Sequence, residues 1–148
     1  KEQMLWGLDH ADVVKISDEE VEFLFGLSAQ DGAQYILDHF PAKLVFVTCG
    51  ADGCYFKNSR AAGREPALPG LRIADTTGAG DAFVGAVLYQ ILRRGGLREA
   101  YSPAELEQLL TFGNAVGALS VQRYGAIPAI PTLAETESFL HAQGLLGA

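Results

Sequence analysis

The sequence predicts a layered α/β fold in which helices pack on a mostly parallel sheet. Two short runs, Val13–Ile16 and Lys43–Cys49, are rich in β-branched residues and nearly continuous in apolar character, as buried strands are. Helical patterns alternate with these strands, and such alternation is typical of α/β layers. Of the 148 residues, 49% are apolar, which is enough to build a core.

Cap and turn signals set the limits of the predicted elements. Ser17 with Glu20 is a capping box that begins a helix after the first strand, and Gly26 ends that helix. A tight turn at Gly50–Gly53 predicts a hairpin, and the polar loop over 58–69 has room for a short edge strand. The predicted helices cover 3–10, 18–25, 30–39, 82–92, 103–121 and 133–143, and the predicted strands cover 13–16, 43–49, 54–57 and 71–74.

The helix over 82–92 is apolar nearly all round, so we expect other layers to cover it on both faces. The chain also begins with a partial helix rather than with a first strand. Both features predict that these 148 residues are the C-terminal portion of a larger protein.

Composition disfavours several functional classes. A net charge of −7 argues against duplex nucleic acid or an anionic membrane as partner. No apolar run approaches the length of a bilayer span, and Lys1–Met4 does not have the layout of a signal peptide. Cys49 and Cys54 are too few for a disulfide scaffold or a zinc site. We therefore expect reduced core cysteines and a cytoplasmic location.

The most informative segment is Asp75–Asp81, DTTGAGD, which lies directly before the apolar helix. Small residues at a helix start expose backbone N–H groups, and the helix dipole adds positive potential, so the turn predicts an anion site. Phosphate binding does not need a carboxylate, so Asp81 suggests a general base for an attacking hydroxyl. Asp75 and Thr77 add acceptor groups to the same loop.

Two familiar phosphate-loop patterns do not fit this turn. A Walker motif needs a lysine and a hydroxyl residue after its last glycine, where this chain has Asp81 and Ala82. A dinucleotide fingerprint needs a third glycine at the position of Phe83. The alternative is a small-residue turn that lets the helix pack closely, with Asp81 as an ordinary first-turn carboxylate.

Other candidate groups also have simple structural alternatives. The Ser17 and Glu20 pair is a cap by its spacing, but it follows a strand end, where α/β ligands bind. Thr48 to Gly53 either offer backbone contacts to a ligand or form a plain Asp-Gly hairpin turn. Asn114 lies on an apolar helix and is either a packed amide or a ligand contact.

The segment DTTGAGDAFVGAVL, Asp75–Leu88, resembles the C-terminal signature of the PfkB, or ribokinase-like, carbohydrate kinases. VKISDEE, VTCGADG and NAVGALSVQRYGAIPAIPT are similar to further family segments in order and spacing. KISDEEVEFL is most like the fructokinase branch. The resemblance covers essentially the whole chain as the C-terminal, nucleotide-binding portion of one kinase domain, and it implies a Rossmann-like ribokinase fold.

This resemblance implies ATP-dependent phosphorylation of a sugar hydroxyl, with fructose as the first expectation. Ribose, 2-keto-3-deoxygluconate or a nucleoside are alternative acceptors. By the same resemblance Asp81 is the base, and Gly78, Ala79 and Gly80 present N–H groups to the transferred phosphoryl. Glu20 matches the glutamate that orders Mg²⁺ and its waters.

The resemblance also implies contacts to the nucleotide and to a monovalent cation. Ser17 stands where the family has an asparagine, and Ala129 stands where some relatives have a serine. The positions implied along the nucleotide are Ser17, Thr48, Gly50, Gly53 and, near the adenine or ribose, Asn114. The positions implied around K⁺, through carbonyls and an aspartate, are Asp75, Thr77, Ser120, Arg123 and Gly125.

Full-length members of the family are often homodimers, and their sugar-binding residues lie mostly in the N-terminal half. We therefore expect the 148 residues alone to be inactive as a sugar kinase. The competing hypothesis from another class is a nucleotide-binding fragment that kept the fold and lost the reaction.

Overall fold

A computed structural model gives the fold of residues 1–145. The helices are α1 (Glu2–Leu8), α2 (Asp18–Phe25), α3 (Ala29–His39), α4 (Ala79–Arg93), α5 (Pro103–Ser120) and α6 (Leu133–Ala142). The strands are β1 (Val13–Ser17), β2 (Leu44–Thr48), β3 (Cys54–Asn58) and β4 (Ala62–Glu65), and 3₁₀ turns lie at Gly50–Asp52 and Ile127–Ala129. The chain divides into two compact units: residues 1–67 with 98–106, and residues 68–97 with those from 107 onward.

The first unit contains a four-stranded sheet in the order β1-β2-β3-β4. β1 and β2 are parallel, whereas β2 with β3 and β3 with β4 are antiparallel. The α/β fold is confirmed, but the sheet is mixed rather than mostly parallel. The reason is connectivity, because only β1 and β2 are joined through helices, and tight turns force the later strands to reverse direction.

Helices α2 and α3 cover one face of this sheet. β1 alternates between half-buried and buried positions, so Val14 and Ile16 face the covering helices. On β2 both faces are buried, and Leu44 to Val47 have no exposed surface. Val21 of α2 and Ile36 of α3 fill the space above the strands. Apolar burial of this kind holds the carboxyl ends of β1 and β2 in place.

The second unit is built from α4, most of α5, and α6. α4 and α5 approach closely at Gly113, where a Cβ would lie 2.9 Å from the Phe83 ring and from Val87. One side of α4 is buried, but Leu88 is 39% and Leu92 73% exposed. The expected cover on both faces of this helix is therefore not provided by the described residues. α4 therefore has more apolar residues than one neighbouring layer of helices can bury.

The predicted strand over Leu71–Ala74 is not formed. The N–H groups of Ala74 and Asp75 both donate to the carbonyl of Val121, at 2.7 and 3.2 Å. This segment is therefore hydrogen-bonded to the residue that follows α5 rather than to a strand, and it adds no strand to the sheet.

The predicted helices, and the caps predicted at Ser17 and Gly26, are otherwise confirmed; the cap at Thr132 was not predicted. Ser17 and Thr132 each form a capping box, with Glu20 and Glu135 respectively, and Gly26 ends α2 in the left-handed conformation. The edge strand anticipated in the 58–69 loop is β4. Within residues 1–145 no helix combines the length and apolar character needed to cross a bilayer.

Candidate active site

The turn before α4 has no side-chain cap. Gly78 is the N-cap residue, with a φ of 74° in the left-handed region. Ala79 donates its N–H within the turn, at 3.2 Å, and the N–H of Ala82 makes the first helical bond, at 2.8 Å to the carbonyl of Gly78. The N–H groups of Gly78, Gly80 and Asp81 have no acceptor in the described part of the chain. Three donors therefore remain at the positive end of the helix, an arrangement that binds anions.

Position 78 requires glycine for two reasons. Its positive φ is one that other residues adopt only with strain. In addition, a Cβ at this position would lie 2.9 Å from the Cβ and 3.3 Å from the Cα of Ala126. Ala126 therefore packs directly against the turn that carries the free donors.

Asp75 ties this turn to the loop after α5. Its Oδ1 accepts from the hydroxyl of Thr77 at 2.6 Å and from the N–H of Thr77 at 2.9 Å. Its Oδ2 accepts from the N–H of Gly125 at 3.0 Å. The Thr77 hydroxyl first, and then the N–H groups of Thr77 and Gly125, lower the pKa of Asp75 from its usual range. The side chain is thus an ionised link between two loops.

Two other residues of the implied cation ring use their side chains elsewhere. Ser120 is buried, and its hydroxyl donates to the carbonyl of Val116 at 2.8 Å. Arg123 donates through Nη2 to Oε1 of Glu135 at 2.6 Å. The backbone carbonyls of Ser120 and Arg123 are oxygen atoms that could face a cation, although that of Ser120 already accepts from the N–H of Arg123.

Glu135 has two tasks in the same unit. Its Oε2 accepts from the N–H of Thr132 at 2.7 Å and from the Thr132 hydroxyl at 2.9 Å, which caps α6. Its Oε1 pairs with Arg123. Arg123, and then Thr132, lower the pKa of Glu135 to about 2. One carboxylate thus fixes both the start of α6 and the Arg123 side chain.

Asp81 is exposed in the first turn of α4 and lines a cavity of about 290 Å³. Among the described residues that line this cavity it is the one that carries a charge. The other lining residues are uncharged and mostly apolar: Ala82, Gly85, Ala86, Tyr89, Phe112, Val116, Ile130, Pro131, Leu133 and Thr136. An exposed carboxylate therefore lies at the edge of a mostly apolar cavity.

In the first unit, the candidate residues lie at the carboxyl ends of β1 and β2. Ser17 and Thr48 are direct partners in the parallel pairing, so the two strand ends are adjacent. Glu20 accepts from the N–H of Ser17 at 2.8 Å through Oε2, and Ser17 accepts from the N–H of Glu20 at 3.1 Å. Oε1 of Glu20 makes no hydrogen bond to the described residues. The capping box therefore leaves one carboxylate oxygen for another partner.

The β2–β3 turn is a 3₁₀ turn rather than a two-residue Asp-Gly turn. Gly53 is buried, with a φ of 87°, and a Cβ there would lie 2.1 Å from the carbonyl oxygen of Glu65. Its N–H donates to Gly50 and its carbonyl accepts from Cys49, so both of its backbone groups serve the turn. Gly50 is exposed. The two predicted glycines therefore differ in access.

Both cysteines are free thiols, as predicted. Burial raises the pKa of Cys54 to about 12. Partial burial also raises the pKa of Cys49. Neither thiol has the lowered pKa that is typical of reactive cysteines.

The site residues implied by the sequence fall into two groups. Asn114 is half-buried on α5, and it belongs to the second unit. No three Asp, Glu, His or Cys side chains gather into a metal-binding group within residues 1–145. The first unit holds Ser17, Glu20, Thr48, Gly50 and Gly53, and the second holds Asp75, Thr77, Gly78, Ala79, Gly80, Asp81, Asn114, Ser120, Arg123 and Gly125.

Residues 1–133 match the pfkB family of carbohydrate kinases. The chain belongs to this family. The probable fructokinase-5 of Arabidopsis thaliana is 38% identical over 140 residues, which are 94% of this chain and 42% of the relative. The chain thus spans about two fifths of the length of the curated relatives that it matches.

Solved structures of pfkB relatives share the fold. The fructokinase of Xylella fastidiosa with bound ATP has a TM-score of 0.84 and 34% identity, covering 96% of this chain and 46% of that one. A double mutant of the Vibrio cholerae O395 fructokinase, with fructose, ADP and a potassium ion bound, has a TM-score of 0.79 and 33% identity. It covers 94% of this chain and 44% of that one. The ribokinase-like fold and the family resemblance read from DTTGAGD are therefore confirmed.

Sequence reasoning missed two residues that shape this pfkB turn. Ala126 abuts Gly78, and Glu135 holds Arg123. The contact at Ala126 has no local signal, because it joins positions far apart in the chain. Glu135 has one, since Thr132 and Glu135 show the spacing of a capping box.

Proposed function

We propose that the protein containing this chain is an ATP-dependent sugar kinase whose preferred acceptor is fructose. The observation that carries the proposal is the uncapped start of α4, where free N–H groups and the Asp81 carboxylate lie within one helical turn. Membership of the pfkB family and the similarity to fructokinases, including one with bound ATP, support it.

The free N–H groups stabilise negative charge on the transferred phosphoryl group. Those of Gly78, Gly80 and Asp81 are held by the turn before a ligand arrives, so they need no reorganisation during the reaction. Removing one such donor typically costs about 10²–10³-fold in kcat. Asp75 and Ala126 hold this turn in position.

Asp81 accepts the proton of the attacking sugar hydroxyl. A positioned base of this kind contributes about 10²–10⁴-fold to the rate. The carboxylate lies beside the mostly uncharged lining of the cavity, where an attacking hydroxyl could approach it. The alternative role, an ordinary first-turn carboxylate, would leave turnover unchanged when Asp81 is neutralised.

The residues of the first unit suit a nucleotide and its metal. Mg²⁺ prefers carboxylate oxygens and retained waters, and Oε1 of Glu20 is a donor of that kind. By the family resemblance, Ser17, Thr48, Gly50 and Gly53 would lie along the nucleotide, and Asn114 would lie near the adenine or the ribose. When bound, ATP supplies the phosphoryl group and Mg²⁺ neutralises part of the phosphate charge.

A monovalent cation such as K⁺ would be held mainly by carbonyls. Both oxygens of Asp75 already accept hydrogen bonds, and the side chains of Ser120 and Arg123 point to other partners. The carbonyls of Thr77, Ser120, Arg123 and Gly125 are oxygen donors of the kind that K⁺ takes.

The full-length protein would act in the cytoplasm, as a homodimer in the proposed arrangement.

The proposal is tested with a panel of acceptors. ADP release by the full-length protein is measured with fructose, ribose, 2-keto-3-deoxygluconate and a nucleoside. Fructose is expected to give the highest kcat/KM. ATP binding without transfer to any acceptor would instead support the non-catalytic hypothesis.

We further propose that the 148 residues alone do not phosphorylate sugar, because they span about two fifths of the relatives' length. The same assay on the isolated chain checks this. Measurable ATP-dependent phosphorylation of fructose by the 148 residues would overturn it.

A further inference from the structure

We infer that the Arg123–Glu135 ion pair positions the anion-binding turn before α4, an inference that rests on the proposed kinase function. Arg123 and Glu135 are positioning residues in this scheme, because neither is placed against the reacting groups. They act through the loop that follows α5, which contacts the turn at two points.

Those two contacts define the path from the ion pair to the turn. The guanidinium of Arg123 lies 2.6 Å from Glu135, and the N–H of Gly125, two residues further on, donates to Asp75 at 3.0 Å. Asp75 in turn accepts from Thr77. One residue beyond Gly125, Ala126 abuts Gly78. A loop that is anchored at Arg123 therefore meets both ends of the turn that presents the free N–H groups.

The anchor itself is well held. Glu135 is fixed by its capping bonds to Thr132, so its carboxylate has little freedom left. The backbone N–H of Arg123 donates to Ser120 at 3.1 Å, which fixes the base of the side chain. Both ends of the ion pair are thus restrained. A restrained pair can hold a loop in one position even though exposed ion pairs add little to stability.

The first unit contains a matched control. Arg98 pairs with Glu105 through Nη2 and Oε1, also at 2.6 Å. Glu105 is likewise fixed by capping bonds from the N–H and hydroxyl of Ser102. The two arginines have similar exposure, 40% for Arg123 and 46% for Arg98. Arg98 lies in the other unit from the turn before α4, and its guanidinium also lies 4.5 Å from the centre of the Tyr101 ring. Its removal therefore tests the loss of such a pair, together with that ring contact, away from the turn.

The kinetic experiment compares Arg123→Met, Arg123→Lys and Arg98→Met in the full-length protein. Methionine keeps the backbone carbonyl of residue 123, so any cation bound there keeps that donor. Arg123→Met is expected to lower kcat about 10–100-fold with the KM for ATP changed less than about 3-fold, because small misplacements of reacting groups have effects of this size. Arg123→Lys should recover part of the loss, and Arg98→Met should leave kcat unchanged.

Hydrogen–deuterium exchange gives a readout that does not depend on activity. Arg123→Met should speed exchange in peptides covering 75–81 and 121–131, with the melting temperature shifted by no more than about 2 °C. Exchange and kcat equal to those of Arg98→Met would overturn the inference. A large fall in melting temperature with faster exchange throughout would also overturn it, since the pair would then be a general stabiliser. If the unmodified protein transfers no phosphoryl group, the proposed function is wrong. The difference in exchange between Arg123→Met and the unmodified protein would still show whether Arg123 orders the turn.

Discussion

Helices α2 and α4 begin in opposite ways. At α2 the Ser17 hydroxyl and the Glu20 carboxylate satisfy backbone N–H groups of the first turn. At α4 the N-cap is Gly78, which has no side chain to offer, and three N–H groups stay free. A side-chain cap stabilises a helix but occupies the donors that an anion would use. The comparison shows that α4, unlike α2, leaves N–H groups at its start that an anion could use.

The absence of a cap has a cost that packing offsets. An N-cap side chain typically contributes about 1 kcal/mol to stability. α4 gains instead from buried residues, among them Phe83, Val87 and Ile91, and from the close approach of α5 at Gly113. Full burial of such side chains contributes about 1.5–3 kcal/mol each. The helix therefore stays formed without a cap.

The largest expected effect is on catalysis at the uncapped helix. Asp81→Asn in the full-length protein should lower kcat by about 10²–10⁴-fold, because the amide cannot accept the hydroxyl proton. ATP binding, measured by calorimetry, should be largely retained, since the free N–H groups are unchanged. Loss of ATP binding with residual turnover would contradict the role given to Asp81.

A second substitution tests the packing of the turn before α4. Gly78→Ala forces a side chain into the left-handed region and into Ala126, whereas Gly26→Ala meets the same conformational strain in open space. Gly26→Ala should therefore cost about 1 kcal/mol of unfolding free energy. Gly78→Ala should cost about 1–3 kcal/mol more, because of the overpacking. Urea unfolding of the two variants measures this difference. Equal losses of unfolding free energy would show that Ala126 shifts to make room for the added methyl group.

The capped helix provides the third comparison. Ser17→Ala should lower the unfolding free energy by about 1 kcal/mol, through loss of the α2 cap. Thr132→Ala is the matched control, because it removes the same kind of cap from α6. If Ser17 also contacts the nucleotide, then only Ser17→Ala should raise the KM for ATP. An equal KM in both variants would leave Ser17 with the capping role alone.

The smallest effect concerns pH and the cap of α5. The Ser102 N–H first, and then Arg98, lower the pKa of Glu105 from 4.5 to about 2. A lowered folded-state pKa means that the stabilisation is present above pH 4.5 and is lost as the pH falls from there toward 2. The unmodified chain should therefore melt at a higher temperature than Glu105→Gln above pH 4.5, and this difference in melting temperature should shrink as the pH is lowered toward 2. Glu107→Gln, at an exposed position on the same helix, is the control. A difference in melting temperature between the unmodified chain and Glu105→Gln that does not change with pH would refute the lowered pKa of Glu105.

Local signals in the sequence predicted most of the helices and strands. Ser17 with Glu20 and Thr132 with Glu135 begin helices at the predicted places, because a cap depends on residues three positions apart. The turn at Gly50–Gly53 predicted the reversal of β3 against β2, whereas the antiparallel pairing of β4 with β3 was not predicted. The segment Leu71–Ala74 was misread because its partner, Val121, lies far along the chain.

The candidate site divides in the same way. The anion turn and its carboxylate were visible in DTTGAGD, since a helix start, small residues and Asp81 are adjacent in sequence. The bond from Gly125 to Asp75 spans 50 positions, and the packing of Ala126 on Gly78 spans a similar distance. No periodicity or spacing rule reports such contacts. The position of the helix start and of its carboxylate was therefore predictable, whereas the residues that pack against this turn were not.

The contact between Gly78 and Ala126 also restricts how this sequence can vary. Residues that touch do not contribute independently, so the effect of a change at one position depends on the other. A methyl group added at position 78 finds room only if position 126 loses one, as in Ala126→Gly. Positions 78 and 126 thus form a coupled pair under substitution, and a larger residue at 126 would move the turn before α4 without itself lying in that turn.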